Sequence, residues 1–366
     1  MKKVWIFLFV LASIYANKQQ MQPSYNPELP TVAIILTGGT ILQKTDPKTG
    51  ASVPAANPQD IIDAIPELKK IANLKVIGFS NLDSSQMTPR LWTKLSKVVD
   101  ETLEDPEIIG AVVVHGTDTM ADGAFFLDVT LKTEKNVVFT GAMANASSPF
   151  SDGPLNLVHS IIQVTSPNAK HWGVTVNMNH YIQAAYWVVK SQTTNPQAFQ
   201  SGEKGYLGYV YENQVYRYND SLYSIKLPKP TTFPYVEIIY DYPGSDGELL
   251  KKAVDLGAQA IAVEGMGAGN VNGKMFDAIK YAINKEVIVT ISTNVANGCV
   301  FSAYGDKGGG ASLVKEGVIL GGNLEIDKVR LLLMLVMAEY GKDKEKIRHF
   351  LNYPFCRSYQ KVGSCK

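Results

Sequence analysis

Short runs of β-branched and aliphatic residues recur along the chain, each broken abruptly by glycine or small polar residues. Val32–Leu36 breaks into Thr37-Gly38-Gly39-Thr40, and Val112–Val114 breaks into His115-Gly116-Thr117-Asp118-Thr119. Further strands are predicted at Lys75–Phe79, Asn136–Phe139 and Gly173–Met178. Between them the apolar spacing takes the helical period. Asn57-Pro58 and Thr88-Pro89 each pair an N-cap residue with proline at the first helical position, predicting helices to Ile65 and to about Leu103. Helices are also predicted over Ala121–Leu131 and from Asp152 to about Val164, with a turn at Thr140–Ser151 before the second. Tyr186–Val189 is one more short β-favouring run, ending in Lys190-Ser191-Gln192-Thr193-Thr194-Asn195. Tyr206–Tyr218 alternates around Glu212-Asn213 as a hairpin does.

Leu227–Pro234, with its three prolines, reads as a linker. Beyond it, strands at Val236–Tyr240, Ala260–Val263 and Val287–Ser292 alternate with helices from Asp246 and over Val271–Asn284, Asp327–Tyr340 and Asp343–Phe350. This rhythm implies an α/β protein of two α/β domains. The larger, N-terminal one is a doubly wound, mostly parallel sheet, and the smaller C-terminal one is again α/β. The expected division is a signal peptide at 1–16, an extended leader at 17–30, a first domain at 31–226, a linker at 227–234, a second domain at 235–353 and a cysteine-bearing tail at 354–366.

Composition narrows the function. A chain of 366 residues, 45% hydrophobic, has ample material for a core in each domain. Its 35 basic and 34 acidic residues leave a net charge of +1 and form no basic stripe, so nucleic acid finds no electrostatic foothold. Lys2 and Lys3 precede an apolar run, Val4–Tyr15, that ends in Ala16-Asn17. This is the pattern of a secretory signal, too short to span a bilayer comfortably, and it predicts a periplasmic or secreted protein. An uncleaved anchor is the alternative. In an oxidising compartment Cys356 and Cys365 could close a small loop, leaving Cys299 free; three thiols are the other reading.

Candidate chemistry concentrates at strand ends. The histidines at 115, 159, 171, 180 and 349 have no metal-ligand spacing, and His115, followed at once by a turn, suits a structural hydrogen bond. Gly265-Met266-Gly267-Ala268-Gly269-Asn270 lacks the third glycine of a dinucleotide loop, and at Gly308–Gly310 the lysine precedes the glycines, unlike a phosphate loop. What remains are polar clusters at Thr37–Thr40, Ser84-Ser85-Gln86, Thr117–Thr119 and Lys190-Ser191. A lone threonine commonly caps a turn, and a lone lysine is commonly solvated. Several such clusters at the ends of strands in one sheet fit a ligand crevice better than chance.

Five motifs carry a resemblance: TGGTI at 37–41, HGTDTM at 115–120, GAM at 141–143, DGPLNL at 152–157 and GMGAGN at 265–270, with VVKSQTTN at 188–195 as a sixth, lysine-bearing segment. In order and spacing the chain resembles the bacterial L-asparaginase family, its periplasmic type II branch most, from about residue 31 to 351. The resemblance implies a homotetramer of intimate dimers that hydrolyses asparagine, often glutamine, to the acid and ammonia without cofactor or metal. Carried over by motif, Thr40 would be the nucleophile and Thr117 the second threonine beside the scissile amide. Asp118 would hold the substrate ammonium, and Lys190 would pair with Thr117, desolvation favouring its neutral, basic form. Ser84 and Ser85 would hold the substrate carboxylate and its surroundings, and Asn270 would reach in from a partner subunit. The chemistry agrees: a hydroxyl nucleophile needs an adjacent base, and the developing oxyanion needs preorganised donors such as turn amides.

The chain also departs from that pattern. The family's loop tyrosine is missing between Ile41 and Leu74, with Val53 near the expected place; the partner-subunit acid falls at Gly305; the arginine after GAM is Ala144; and Ala121-Asp122 replaces an acidic pair. Tyr304 and Asp306 are the residues placed to substitute for the missing hydroxyl and acid, a solvated loop being the other reading. Two function classes follow: an asparaginase-type amidohydrolase, slowed by the ~10²–10⁴-fold that loss of a general base typically costs, or a degenerate relative that binds a small amino acid without efficient turnover.

Overall fold

The computed structural model describes residues 25–54, 62–221 and 225–359. The expected signal segment, most of the expected leader, the predicted helix start at Asn57-Pro58 and the suggested Cys356–Cys365 pairing lie outside the described residues. In chain order the strands are β1 Thr31–Gly38, β2 Gln43–Thr45, β3 Ser52–Pro54, β4 Asn73–Leu82, β5 Ile108–Val114, β6 Asn136–Thr140, β7 Val174–Met178 and β8 Tyr181–Ala184. They continue as β9 Val189–Lys190, β10 Phe199–Gln200, β11 Gly208–Tyr211, β12 Gln214–Arg217, β13 Val236–Tyr240, β14 Ala260–Gly265, β15 Ile288–Thr293 and β16 Ile319–Leu320.

The larger sheet has the order β12-β11-β8-β7-β6-β5-β1-β4. From β4 to β7 its strands run parallel, and β8, β11 and β12 add an antiparallel edge. The smaller sheet, β13-β14-β15-β16, is parallel throughout. Both match the expected α/β class. The order places a topological switch between β1 and β5, since β1 leads to β4 on one side and β5 leads to β6 on the other. In open α/β sheets, ligands bind in the crevice beyond the carboxyl ends of such strands. Gly38 and Val114 are those ends.

Parallel strands buried on both faces explain the unbroken apolar runs. Val32, Ile34 and Leu36 of β1 pack with Leu157 and Ile161 of the helix Gly153–Thr165. Ala33 and Ile35 face Leu95 and Val99 of the helix Pro89–Leu103 and Phe125 of the helix Met120–Thr130. The Pro89–Leu103 helix begins as its sequence predicts, the Thr88 hydroxyl accepting from Leu91 N at 3.3 Å, and it buries Trp92, Leu95, Ser96, Val99 and Leu103 at helical spacing. Each large apolar side chain so buried contributes roughly 1.5–3 kcal/mol.

Three segments differ from expectation. Tyr186–Val189 is not a strand: β8 precedes it, Ala185–Trp187 form a turn, and only Val189–Lys190 pairs, with β10. β7 and β8 are joined by a two-residue turn in which Asn179 (φ 48°) and His180 (φ 74°) are both left-handed, as hairpin twist requires. The proline-rich 227–234 segment, expected to be a linker, is tied down to the first domain. Leu227 N donates to Val129 O at 2.7 Å, and Lys229 Nζ reaches Thr130 O at 2.8 Å and Asp100 Oδ2 at 2.5 Å.

The helix Ile326–Tyr340 joins the sheets, packing on Met120–Thr130 to one side and on β13, β14 and β15 to the other. At this junction burial, reinforced by Asp327 and Glu325, pushes the Asp122 carboxyl up to about 7, while Lys328 and Arg330 pull it down. Its position in a helix first turn favours the charge by only ~0.3–1 kcal/mol, so desolvation wins. A folded-state pKa above the unfolded value gives stability that is complete at low pH and lost as pH rises through the folded value. Asp122→Asn should therefore gain little near about pH 4 and on the order of 3 kcal/mol above about pH 7. Urea unfolding of both proteins at the two pH values checks this; an equal effect at both would contradict it.

Candidate active site

The ends of β1 and β5 are locked together by backbone contact. Thr37 Oγ1 donates to Val114 O at 3.0 Å, and a Cβ built on Gly39, which has φ 90°, would lie 2.3 Å from Gly116 Cα. Only glycine at both positions allows this approach. Gly39→Ala combines a backbone conformation (φ 90°, ψ 175°) that is essentially glycine's alone, costing roughly 1–3 kcal/mol, with a clash that only separation of the two turns relieves. We expect it to lower the melting temperature by several degrees and to disable the site, as thermal unfolding and activity measured together would show; wild-type behaviour in both would contradict the packing. Ser84 closes the third side. It is buried after β4, its hydroxyl would meet a Cβ on Gly116 at 2.6 Å, and its carbonyl accepts from Thr119 Oγ1 at 2.8 Å.

Thr40 opens the 3-10 turn Thr40–Leu42, half-buried at the rim. Among the described residues no group hydrogen-bonds its hydroxyl. Thr117 is buried, and Lys190 Nζ donates to Thr117 Oγ1 at 3.0 Å and to Asp118 Oδ1 at 2.6 Å. The lysine side chain is 19% exposed and the aspartate side chain 60%. Lys190 thus touches both Thr117 and Asp118 at the mouth of the crevice. Ser85 is exposed beside Asp83 and Gln86, its hydroxyl accepting from Gln86 Nε2 at 3.2 Å.

His115 is fixed as a structural residue. It is fully buried, with Nδ1 2.7 Å from Gly116 O and Nε2 facing the Trp92 indole N–H at 3.5 Å. A carbonyl only accepts and an indole only donates, so the ring is the neutral Nδ1–H tautomer. Burial holds it at about 4, against the weaker opposing effect of the Gly116 bond. The Asp152 carboxylate accepts from Met143 N at 3.0 Å and Ala144 N at 2.9 Å, which explains why GAM and DGPLNL occur together. Ala144 takes part through its backbone.

The remaining expected residues lie elsewhere. Asn270 follows β14 in the smaller sheet, where its side chain accepts from Gly310 N at 3.2 Å, and no contact joins it to Thr117 or Lys190 in this chain. Tyr304 and Asp306 are exposed in the loop packed against Asn270, with Tyr304 O accepting from Ala311 N at 2.9 Å. Val53 is exposed on the β2–β3 ribbon. Sequence reasoning placed Thr37 and Thr119 in polar clusters without giving either a role of its own, and it missed Lys328. The first two were hidden inside motifs, and Lys328 was legible as a lysine at i−3 and i−4 from Leu331 and Leu332 on a buried helix stripe.

Comparison with known proteins now decides the family. The model of the asparaginase N-terminal domain matches residues 31–223, and that of the glutaminase/asparaginase C-terminal domain matches residues 235–351. The chain belongs to the asparaginase family. It is 34% identical to the Haemophilus influenzae protein named "Probable L-asparaginase periplasmic", over 88% of this chain and 93% of that one. It is 31% identical to L-asparaginase 2 of Escherichia coli, with the same coverage. A crystal structure titled as the probable cytoplasmic L-asparaginase of Campylobacter jejuni superposes with a TM-score of 0.80 at 33% identity, covering 88% of this chain and 99% of that one. Asparaginase relatives named for either compartment are thus similar to this chain. Among the described residues no helix is long and apolar enough to cross a membrane.

Proposed function

We propose that this asparaginase-family chain hydrolyses L-asparagine, and L-glutamine as a second substrate, with Thr40 as nucleophile. Asp118 binds the substrate ammonium, and Ser84 and Ser85 hold its carboxylate. Arrival of that ammonium gives Asp118 a new partner, and Lys190, acting as the neutral amine, takes the Thr40 proton through the Thr117 hydroxyl. Thr40 Oγ attacks the side-chain carbonyl, and turn amides at Gly38–Thr40 and Gly116–Thr117 receive the oxyanion. The proton passes to the leaving nitrogen, ammonia departs, and water hydrolyses the aspartyl ester. The observation that carries this reading is the 3.0 Å contact of Lys190 Nζ with Thr117 Oγ1 at the switch point. A site that only bound an amino acid would have no use for an amine on a second hydroxyl. Among the described residues no base touches the Thr40 hydroxyl directly, so turnover should be slow.

Asn270 completes the site from a second copy of the chain, in a homotetramer of intimate dimers, and the N-terminal segment directs the protein to the periplasm or beyond. The test is ammonia release from L-asparagine and L-glutamine by the purified protein. Release from neither substrate overturns the proposal. Aspartate at about a hundredfold above its Kd should stabilise the native protein by ~2.7 kcal/mol. The shift should vanish in Asp118→Ala; an equal shift in that variant would remove Asp118 from the pocket.

A further inference from the structure

Lys328 is the most deeply buried cation of the junction between the sheets, only 1% exposed. It belongs to the helix Ile326–Tyr340, yet its ammonium leaves that helix and crosses to the first domain. Nζ donates to Ala185 O at 3.0 Å, Tyr186 O at 3.1 Å and Val188 O at 2.6 Å. Those carbonyls end a single helical turn, closed by Trp187 N and Val188 N donating to Ala184 O at 3.1 and 3.0 Å. An ammonium has three N–H groups, enough to donate to all three carbonyls. Two residues beyond Val188 the chain reaches Lys190, whose Nζ lies on Thr117 and Asp118.

The same ammonium lies 5.6 Å from the centre of the Phe125 ring, in the helix that begins immediately after Thr117–Thr119. Phe125 in turn meets Tyr186 edge-on at 5.4 Å. Lys328 thus touches both segments whose relative placement sets the Lys190–Thr117 distance. The charges facing it are Asp122 and Asp128 from the Met120–Thr130 helix and Glu325 and Asp327 from its own end. They favour its charged form against burial, which lowers its pKa.

We propose that Lys328 is a positioning residue for the Thr117–Lys190 pair, its ammonium fixing the turn that delivers Lys190 to Thr117. The proposal rests on the reading of Lys190 as the proton acceptor. Loss of the ammonium removes one donor from each of three buried carbonyls, and the turn is no longer tied to the second domain there. A displacement of about 1 Å away from the chemistry can lower a rate by as much as ~10²-fold.

The test compares wild type, Lys328→Met and Lys328→Gln in steady-state ammonia release from L-asparagine across a pH series, with melting temperatures alongside. Lys328→Met should lose about 10–100-fold in kcat, with KM changed by less than about threefold. The acid limb of its kcat/KM profile, which reports the proton on Lys190, should move by about half a pH unit or more. Lys328→Gln, smaller and still able to donate, should move in the same direction by less, and it carries the test if Lys328→Met does not fold. A melting temperature lowered without any change in kcat or the acid limb makes Lys328 a structural bolt only and overturns the proposal. Lys190→Met run beside them separates the two readings. If it retains activity, Lys190 is not the base. If it is inactive while both Lys328 variants turn over as wild type, the positioning role alone fails.

Discussion

Lys190→Met is expected to reduce kcat for asparagine by about 10²–10⁴-fold, the usual loss when a general base is removed. KM should move far less, because Lys190 is not assigned to any substrate group. Its removal also frees Asp118, now 2.6 Å from Lys190 Nζ, to meet the substrate ammonium without competition. Lys190→Arg separates the two roles a cation could have here. A guanidinium keeps the charge and can still pair with Asp118, but it does not give up its proton in the working range and so cannot serve as a base. Both variants should be inactive. Recovery of activity in Lys190→Arg would mean that the lysine supplies charge alone, and wild-type kcat in Lys190→Met would remove it from the chemistry.

The parts of the fold that the sequence made legible are those where one physical signal dominates. Val32–Leu36 and Val112–Val114 are buried on both faces and stop at glycine turns, so both strands and the crevice beyond them could be read directly. The Pro89–Leu103 helix announced itself through its cap and apolar spacing. Where local preference and tertiary context disagree, the reading failed. Tyr186 and Val188 favour strands, but their carbonyls are claimed by Lys328 and the segment turns. Asn179-His180 makes a two-residue hairpin without the glycine that usually marks one, so β8 went unseen. The contacts that tie down 227–234 were not legible, because prolines say nothing of what a lysine beside them will reach.

The candidate site shows the same division. Thr117 and Lys190 are 73 residues apart, and no periodicity connects them; only the motifs did. That their side chains meet follows from the sheet order, since β9 returns past the end of β5 through the turn held by the second domain. The contact of Lys190 with Asp118 was not legible either, because only the folded chain sets that distance. The exposed Val53 agrees with the absence of an aromatic hydroxyl beside Thr40 on that ribbon. The first domain alone offers no replacement among the described residues.

Thr40 therefore stands at the centre of the account, with its hydroxyl bonded to no group among the described residues and its backbone held by the Gly39–Gly116 approach. Thr40→Ala removes one oxygen from a half-buried rim position and should leave folding intact, so any loss can be assigned to chemistry. Without the hydroxyl no aspartyl ester forms, and the residual rate comes only from binding and the oxyanion donors. The decisive measurement is ammonia released from L-asparagine by wild type and Thr40→Ala at matched concentration and matched melting temperature. The account predicts release by the wild type and a loss of at least about 10³-fold in the variant. Equal release by both proteins, or none from the wild type, would contradict it.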